Sequence, residues 1–280
     1  MDRTLLPNGN QEVSACALDY FSMFVHHKDV CLVYVTGRDL SLVEEAIEEY
    51  HLPTPDYAIT DVGTQIYQRK HDQWFSLDTW ETEIQRDWHG KTHRDLEALF
   101  KDISLLKLQP KHKQNTYKLS YEIDLKEDIN LLLALMNKRL DDLAIQASLV
   151  WSIDEMTNTG LLDVLPRYAT KLHAIEFLMS HKGYTLNEVV FSGDSGNDLA
   201  VMSSAIPSVL VANASEEVRG LALEHAKTEH NTDTLYFANG SYLGMNGNYS
   251  AGILEGVWHF MPSMRTALEK IQLVGKEYDK

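Results

Sequence analysis

The period of the apolar residues changes repeatedly along the chain, and each change marks an element. Residues 13–27 (VSACALDYFSMFVHH) repeat apolar side chains at helical intervals, the pattern of a helix with one buried face. Val30 to Val35 then form an unbroken apolar run closed by Thr36-Gly37-Arg38. A strand without polar alternation is buried on both faces, as in a parallel sheet. A helix with an acidic outer face is predicted over 39–50, a strand over 55–60, and a short strand in GTQIYQ (63–68).

Near residue 70 the character changes. The segment 75–103 is rich in Trp and acidic residues and is expected to be helical. Residues 116–124 (TYKLSYEID) alternate strictly, with Tyr117, Leu119, Tyr121 and Ile123 on one face and Thr116, Lys118, Ser120 and Glu122 on the other. An amphipathic helix follows over 125–140. Residues 145–152 alternate again and set Gln146, Ser148 and Ser152 opposite Ile145, Ala147, Leu149 and Trp151; a further strand is expected at 160–165. One helix with strands that share a polar face describes a small α/β layer. The first pattern then resumes: helix 168–182, strand 188–194, helix 196–203, strand 207–213, helix 215–226 and helices near 250–274. Alternating strands and helices predict a doubly wound, Rossmann-like parallel sheet. The expected organisation is a core of residues 1–70 and 165–280 with an α/β cap domain, 71–164, inserted into it.

Charge narrows the partners. The 280 residues hold 41 acidic and 25 basic side chains, a formal net charge of −16. Such a surface repels nucleic acid and anionic membranes, so neither is expected as a partner. A phosphorylated ligand would need local cations, a metal or backbone N–H groups. Cys16 and Cys31 make neither a disulfide framework nor a zinc site and are expected to be buried thiols. MDRTLLPNGNQ carries no apolar signal region, and no apolar run is long enough for a bilayer. The expected location is the cytoplasm.

In open α/β sheets ligands bind beyond the carboxyl ends of strands. Three places there carry suggestive groups. Thr36 offers a hydroxyl, and the Gly37 and Arg38 amides lie near a helix N-terminus, a cradle for phosphate; taken alone, an ordinary strand–turn–helix reads the same way. After Val189-Val190-Phe191 comes Gly193-Asp194-Ser195-Gly196-Asn197-Asp198. Two carboxylates and an amide at a buried strand end are hard oxygen donors of the kind Mg²⁺ takes, with a solvated helix-capping loop as the alternative. Lys171 opens the helix of the second half, where an ammonium could neutralise transition-state charge; it gains weight only from its company.

VTGR, then a lysine after an inserted domain, then GDSGND is the ordered motif set of the haloacid dehalogenase superfamily of phosphatases, which the chain resembles over nearly its whole length. Within it the chain is similar to the sucrose-phosphate phosphatase family. TDVGTQIY (60–67), TYKLSYEID (116–124), DVLPRYATK (163–171), FSGDSGND (191–198), VLVANASEE (209–217) and AGILEGVWHF (251–260) carry that similarity. The resemblance implies a Mg²⁺-dependent phosphatase that works through an aspartyl-phosphate. Its first motif is Asp-x-Asp-x-Thr, and Asp2-Arg3-Thr4 matches the last three positions. The nucleophile would fall immediately before Met1, and the central strand that carries it would come earlier still. The expectation is therefore a true start about ten residues upstream; a truncated, inactive relative is the alternative.

The resemblance also assigns roles. Asp2 would be the general acid and base and would offer its carbonyl to the metal. Thr36, Gly37 and Asn197 would hold phosphoryl oxygens, and Lys171 would stabilise their charge. Asp194 and Asp198 would bind Mg²⁺. Leu172 departs from the family, which usually has Gly after the lysine.

If the cap helices cover one sheet face, Thr116, Lys118, Ser120, Gln146 and Ser148 look toward the substrate, which suits a polyhydroxylated molecule. The expected reaction is hydrolysis of a sugar phosphate, foremost sucrose 6-phosphate. Two alternatives stay open. One is a phosphatase for a phosphorylated glycosylglycerate or for sugar phosphates broadly. The other is an inactive relative that binds a partner such as a sugar-phosphate synthase.

Overall fold

The computed structural model describes residues 1–154 and 158–278. In chain order the elements are α1 (Ala17–Val25), β1 (Val33–Val35), α2 (Leu40–Glu49), β2 (Tyr57–Thr60), β3 (Gln65–Lys70) and β4 (Gln73–Ser76). Next come α3 (Asp78–Ile84), α4 (His93–Phe100), β5 (Lys107–Leu108), β6 (Leu119–Ile123), α5 (Ile129–Asp142), β7 (Ala147–Asp154) and β8 (Thr159–Pro166). The last are α6 (Lys171–Lys182), β9 (Phe191–Gly193), α7 (Leu199–Met202), β10 (Ser208–Leu210), α8 (Glu216–Thr228), β11 (Leu235–Phe237), α9 (Ser250–Phe260) and α10 (Arg265–Tyr278). Among the described residues no helix is long and apolar enough to cross a membrane.

The chain forms two compact units. One holds Met1–Thr36, Leu40–Ala58 and Ile175–Lys280; the other holds Gly37–Asp39 and Ile59–Ala174. In the first, β9, β10 and β11 form a parallel sheet in the order β11-β10-β9. β1 pairs with β2, at the end of a second sheet in the order β1-β2-β3-β4. Among the described residues β9 has only β10 beside it and β1 only β2. Leu5, Leu6, Phe21, Phe24, Tyr34, Val43, Leu254 and Val257 share the apolar core of this unit. The short strand β11 falls where no strand was expected.

Helix α9 reaches β10 closely because Gly256 carries no side chain. A Cβ there would come within 2.0 Å of Val209 Cγ2, and Val209 is fully buried. Gly256→Ala should therefore destabilise by about 1–3 kcal/mol through overpacking, read as a lower midpoint in urea. An unchanged midpoint would mean that α9 does not rest on β10 there.

The second unit is built around an antiparallel sheet in the order β5-β6-β8-β7. In register, Ser120 faces Asp163, Tyr121 faces Leu162 and Trp151 faces Leu162. The alternation over 116–124 becomes real burial: Leu119, Tyr121 and Ile123 pack with Leu162, Val164 and with Leu132, Met136 and Leu140 of α5. The Asp128 side chain accepts from Leu131 N–H and starts α5.

The segment 75–103 is not one helical stretch. It holds part of β4, then α3, a 3-10 turn over Gln85–Trp88, and α4. His89 (φ 49°) and Gly90 (φ 77°) enter the left-handed region and end the first helical run. Thr92 then opens α4 with a reciprocal capping box to Asp95. Cys16 and Cys31 are free and half-buried rather than buried.

Candidate active site

In the first unit the chemistry gathers at the end of β9. Asp194 follows Gly193 directly and is 6% exposed. Its Oδ1 accepts the Thr4 hydroxyl at 2.7 Å, and Arg3 Nε lies 3.9 Å from Oδ2. Four residues on, Asp198 turns back: its Oδ2 accepts from Asp194 N–H at 3.2 Å, Ser195 N–H at 3.2 Å and Ser195 Oγ at 3.1 Å. This self-capped turn puts two carboxylates side by side at the carboxyl end of a buried strand. Burial pushes the Asp194 carboxyl above its ordinary range; the Thr4 bond lowers it, and the neighbouring Asp198 charge raises it.

The N-terminal loop is tied to the same place. Thr4 N–H donates to the Asp2 carbonyl at 2.7 Å. Asp2 Oδ1 accepts from Asn8 Nδ2 at 2.8 Å. The buried Asn213 donates from Nδ2 to the Arg3 carbonyl at 2.6 Å, and its Oδ1 accepts Tyr249 N–H at 2.8 Å. Thr36, immediately after β1, is buried at 3% exposure. Asn197 is exposed within the 3-10 turn Gly196–Asp198.

Among the described residues no group of three or more His, Cys, Asp or Glu side chains is arranged to hold a metal; Asp2, Asp194 and Asp198 do not form a trio. The pair Asp194 and Asp198 still fits Mg²⁺. They are hard oxygen donors, and Mg²⁺ is commonly held by one or two carboxylates together with water and substrate phosphate. A cation there would also relieve the repulsion between the two buried charges.

The second unit holds Gly37, Lys171 and the residues expected to meet the sugar. Lys171 is the first residue of α6 and is partly exposed. Lys118 is buried, and its Nζ lies 3.2 Å from Asp61 Oδ1. Ser120 is fully buried and hydrogen-bonds Asp163. Thr116 precedes β6 and is exposed. Gln146 lines a cavity of about 280 Å³ with His89, Asn137, Asp141 and Arg167. Ser148 Oγ lies 3.4 Å from the Arg167 carbonyl.

Sequence reasoning passed over two residues here. Thr4 stood in the first motif without a role, and the structure makes it the donor to Asp194. Asp61 was not considered. It follows β2 directly and is 8% exposed. Burial raises its carboxyl, and Lys118 draws it part of the way back. The rule that singled out Thr36 and Asp194, a polar group just past a buried strand, would have found it.

Residues 1–261 match the family described as sucrose-6F-phosphate phosphohydrolase. A protein of Nitrosococcus oceani described only as a HAD-like hydrolase is 47% identical over 96% of this chain and 72% of its own length. Sucrose-phosphatase 1 of Nicotiana tabacum is 27% identical over 84% of this chain; the chain spans 51% of that protein, about half its length. The solved structure of a sucrose-phosphatase from Synechocystis sp., in complex with sucrose and phosphate, shares the fold, with a TM-score of 0.66 and 24% identity over 90% of this chain and 94% of that one. The chain belongs to the sucrose-6F-phosphate phosphohydrolase family, phosphoric monoester hydrolases of the haloacid dehalogenase superfamily.

Proposed function

We propose that this chain carries out Mg²⁺-dependent hydrolysis of a sugar phosphate, foremost sucrose 6-phosphate, with residues 71–164 acting as an inserted cap. The observation that carries the reading is the hydrogen bond from Thr4 to Asp194 at 2.7 Å. It brings the loop bearing Asp2 to the buried carboxylates at the end of β9.

The residue roles follow from their chemistry. Asp194 and Asp198 hold the metal, which when bound supplies positive charge to the phosphoryl oxygens. Thr36, Gly37 and Asn197 bind those oxygens by hydroxyl, amide and side-chain donors. Lys171 offsets the negative charge that builds during transfer. Asp2 gives a proton to the leaving sugar oxygen and later takes one from water; Asn8 fixes its carboxylate in the meantime. Asp194 itself only ligates. Lys118 and the polar positions Thr116, Gln146 and Ser148 meet the sugar; Ser120, fully buried on Asp163, does not.

The attacking carboxylate of this family falls in the position before Met1, so the test supplies it. Phosphate release from sucrose 6-phosphate with Mg²⁺ is compared between the 280-residue chain and a version extended by a short apolar strand ending in Asp. The extended protein should turn over, and the shorter one should be slower by at least about 10³-fold, the scale of losing a nucleophile. Equal rates would overturn the assigned chemistry. A phosphorylated glycosylglycerate hydrolysed faster than sucrose 6-phosphate would move the substrate and leave the chemistry standing.

A further inference from the structure

The turn Asp61-Val62-Gly63 has no functional role assigned to it, yet three segments given functional roles meet at it. Its backbone is unusual: φ is 49° at Asp61, 63° at Val62 and 105° at Gly63. A β-branched residue rarely takes such a value, and strained turns of this kind gather at functional sites. The surroundings hold it there. Asp61 N–H donates to the Arg38 carbonyl at 2.9 Å. A Cβ on Gly37 would lie 3.8 Å from Val62 Cγ2. A Cβ on Gly63 would lie 2.5 Å from the Thr170 carbonyl carbon and 2.8 Å from Lys171 N, so only Gly fits where the turn rests on the start of α6. Trp80 Nε1 donates to the Gly63 carbonyl at 3.2 Å.

The same turn grips the segment before β6 at two points. Asn115 Nδ2 donates to Thr64 Oγ1 at 3.0 Å, and Lys118 Nζ reaches Asp61 Oδ1 at 3.2 Å. The Lys118 and Asp61 side chains are only 11% and 12% exposed. Gly37-Arg38, Thr170-Lys171 and Lys118 are thereby fastened to one strained three-residue turn.

We propose that Asp61 is a positioning residue that sets specificity. Its carboxylate holds the Lys118 ammonium at a fixed distance from the phosphate-binding segments, so that the site recognises a polyhydroxylated molecule together with its phosphate rather than phosphate alone. This rests on the phosphatase reading above, with Lys118 as a sugar ligand. Asp61 acts only through Lys118 and touches no substrate itself.

That statement has a sharp consequence. Calorimetric titration of the 280-residue chain with sucrose 6-phosphate in Mg²⁺ measures binding without needing turnover. Asp61→Asn keeps the size of the side chain and tolerates the left-handed backbone. It should weaken binding about 10-fold, as should Lys118→Met, the scale of one lost charge-assisted hydrogen bond. The double variant should bind no worse than Lys118→Met alone, because Asp61 has nothing left to position. Losses that multiply to about 100-fold, or an Asp61→Asn variant that binds like the parent, would overturn the proposal.

Should Asp61→Asn fail to fold, Asp61→Glu keeps the charge and displaces it by one methylene. It should weaken binding when Lys118 is present and change nothing on the Lys118→Met background; any other pattern overturns the proposal. A parent chain that binds no member of a sugar-phosphate panel would strike instead at the phosphatase reading, and would remove this inference with it.

Discussion

In the protein extended by the upstream Asp, Asp194→Asn should lose at least about 10²–10³-fold in turnover, the scale of removing one preorganised electrostatic partner, and yet make the metal-free protein more stable. The structure gives both effects one cause. Asp194 is almost fully buried, beside Asp198, with the Thr4 hydroxyl as its donor. Burial raises its carboxyl above the ordinary value. A group whose pKa is raised on folding favours the folded state below its unfolded pKa, and that contribution is lost as pH rises through the folded pKa. At neutral pH the buried charge therefore works against the fold. Asn removes the charge and keeps an oxygen for Thr4. Thermal unfolding in a chelator at pH 7.5 should show the variant above the parent, with the difference shrinking at pH 5. Adding Mg²⁺ should raise the parent and leave the variant unmoved, since only a ligand bound by the folded state stabilises it. A variant that melts below the parent in chelator, or that still turns over, would refute the assignment of Asp194.

What the sequence made legible follows from how local each signal is. The apolar stretches Val30 to Val35 and Val189 to Phe191 read correctly as β1 and β9, short strands followed by the polar residues Thr36 and Asp194. The alternation around Leu119, Tyr121 and Ile123 was equally plain, since one face of β6 packs on α5. The segment 75–103 read correctly as helical over most of its length, in α3 and α4, though not where it breaks. The breaks at His89 and Gly90 are set by left-handed backbone, which composition does not announce.

The site divides the same way. Motif residues with fixed chain spacing, such as Asp194 and Asp198, were readable one by one. Their partners were not, because Thr4 meets Asp194 across 190 positions and Lys118 meets Asp61 across 57. The polar row over 116–120 was read as a face open toward the substrate. Packing instead buries Lys118 and Ser120 and gives each an acidic partner, Asp61 and Asp163. Alternation tells which side chains share a face, and says nothing of what closes over that face.

Lys118→Ala should accordingly be far more damaging than the loss of a surface lysine. Exposed ion pairs contribute little, but this pair is buried on both sides. Removing one partner leaves the other charge without compensation, at a cost of about 3–5 kcal/mol. The pH dependence identifies the cause. Burial already raises the Asp61 carboxyl, and Lys118 is the main influence lowering it; without Lys118 it rises further. By the same sign rule, Asp61 then favours the folded state only below its unfolded pKa and opposes it increasingly as pH climbs through the higher folded value. The deficit should be largest at pH 7.5 and should narrow toward pH 5, in the direction in which Asp61 takes up a proton and the uncompensated charge is relieved. Removing both charges in Asp61→Asn with Lys118→Met should recover most of the loss at pH 7.5, because a buried pair replaced by neutral groups of similar size is often nearly neutral for stability. Urea unfolding of the parent and the two variants at the two pH values reads all of this directly. A deficit below about 1 kcal/mol at pH 7.5 would place Lys118 among ordinary solvated lysines, and a deficit equal at both pH values would remove Asp61 as its cause.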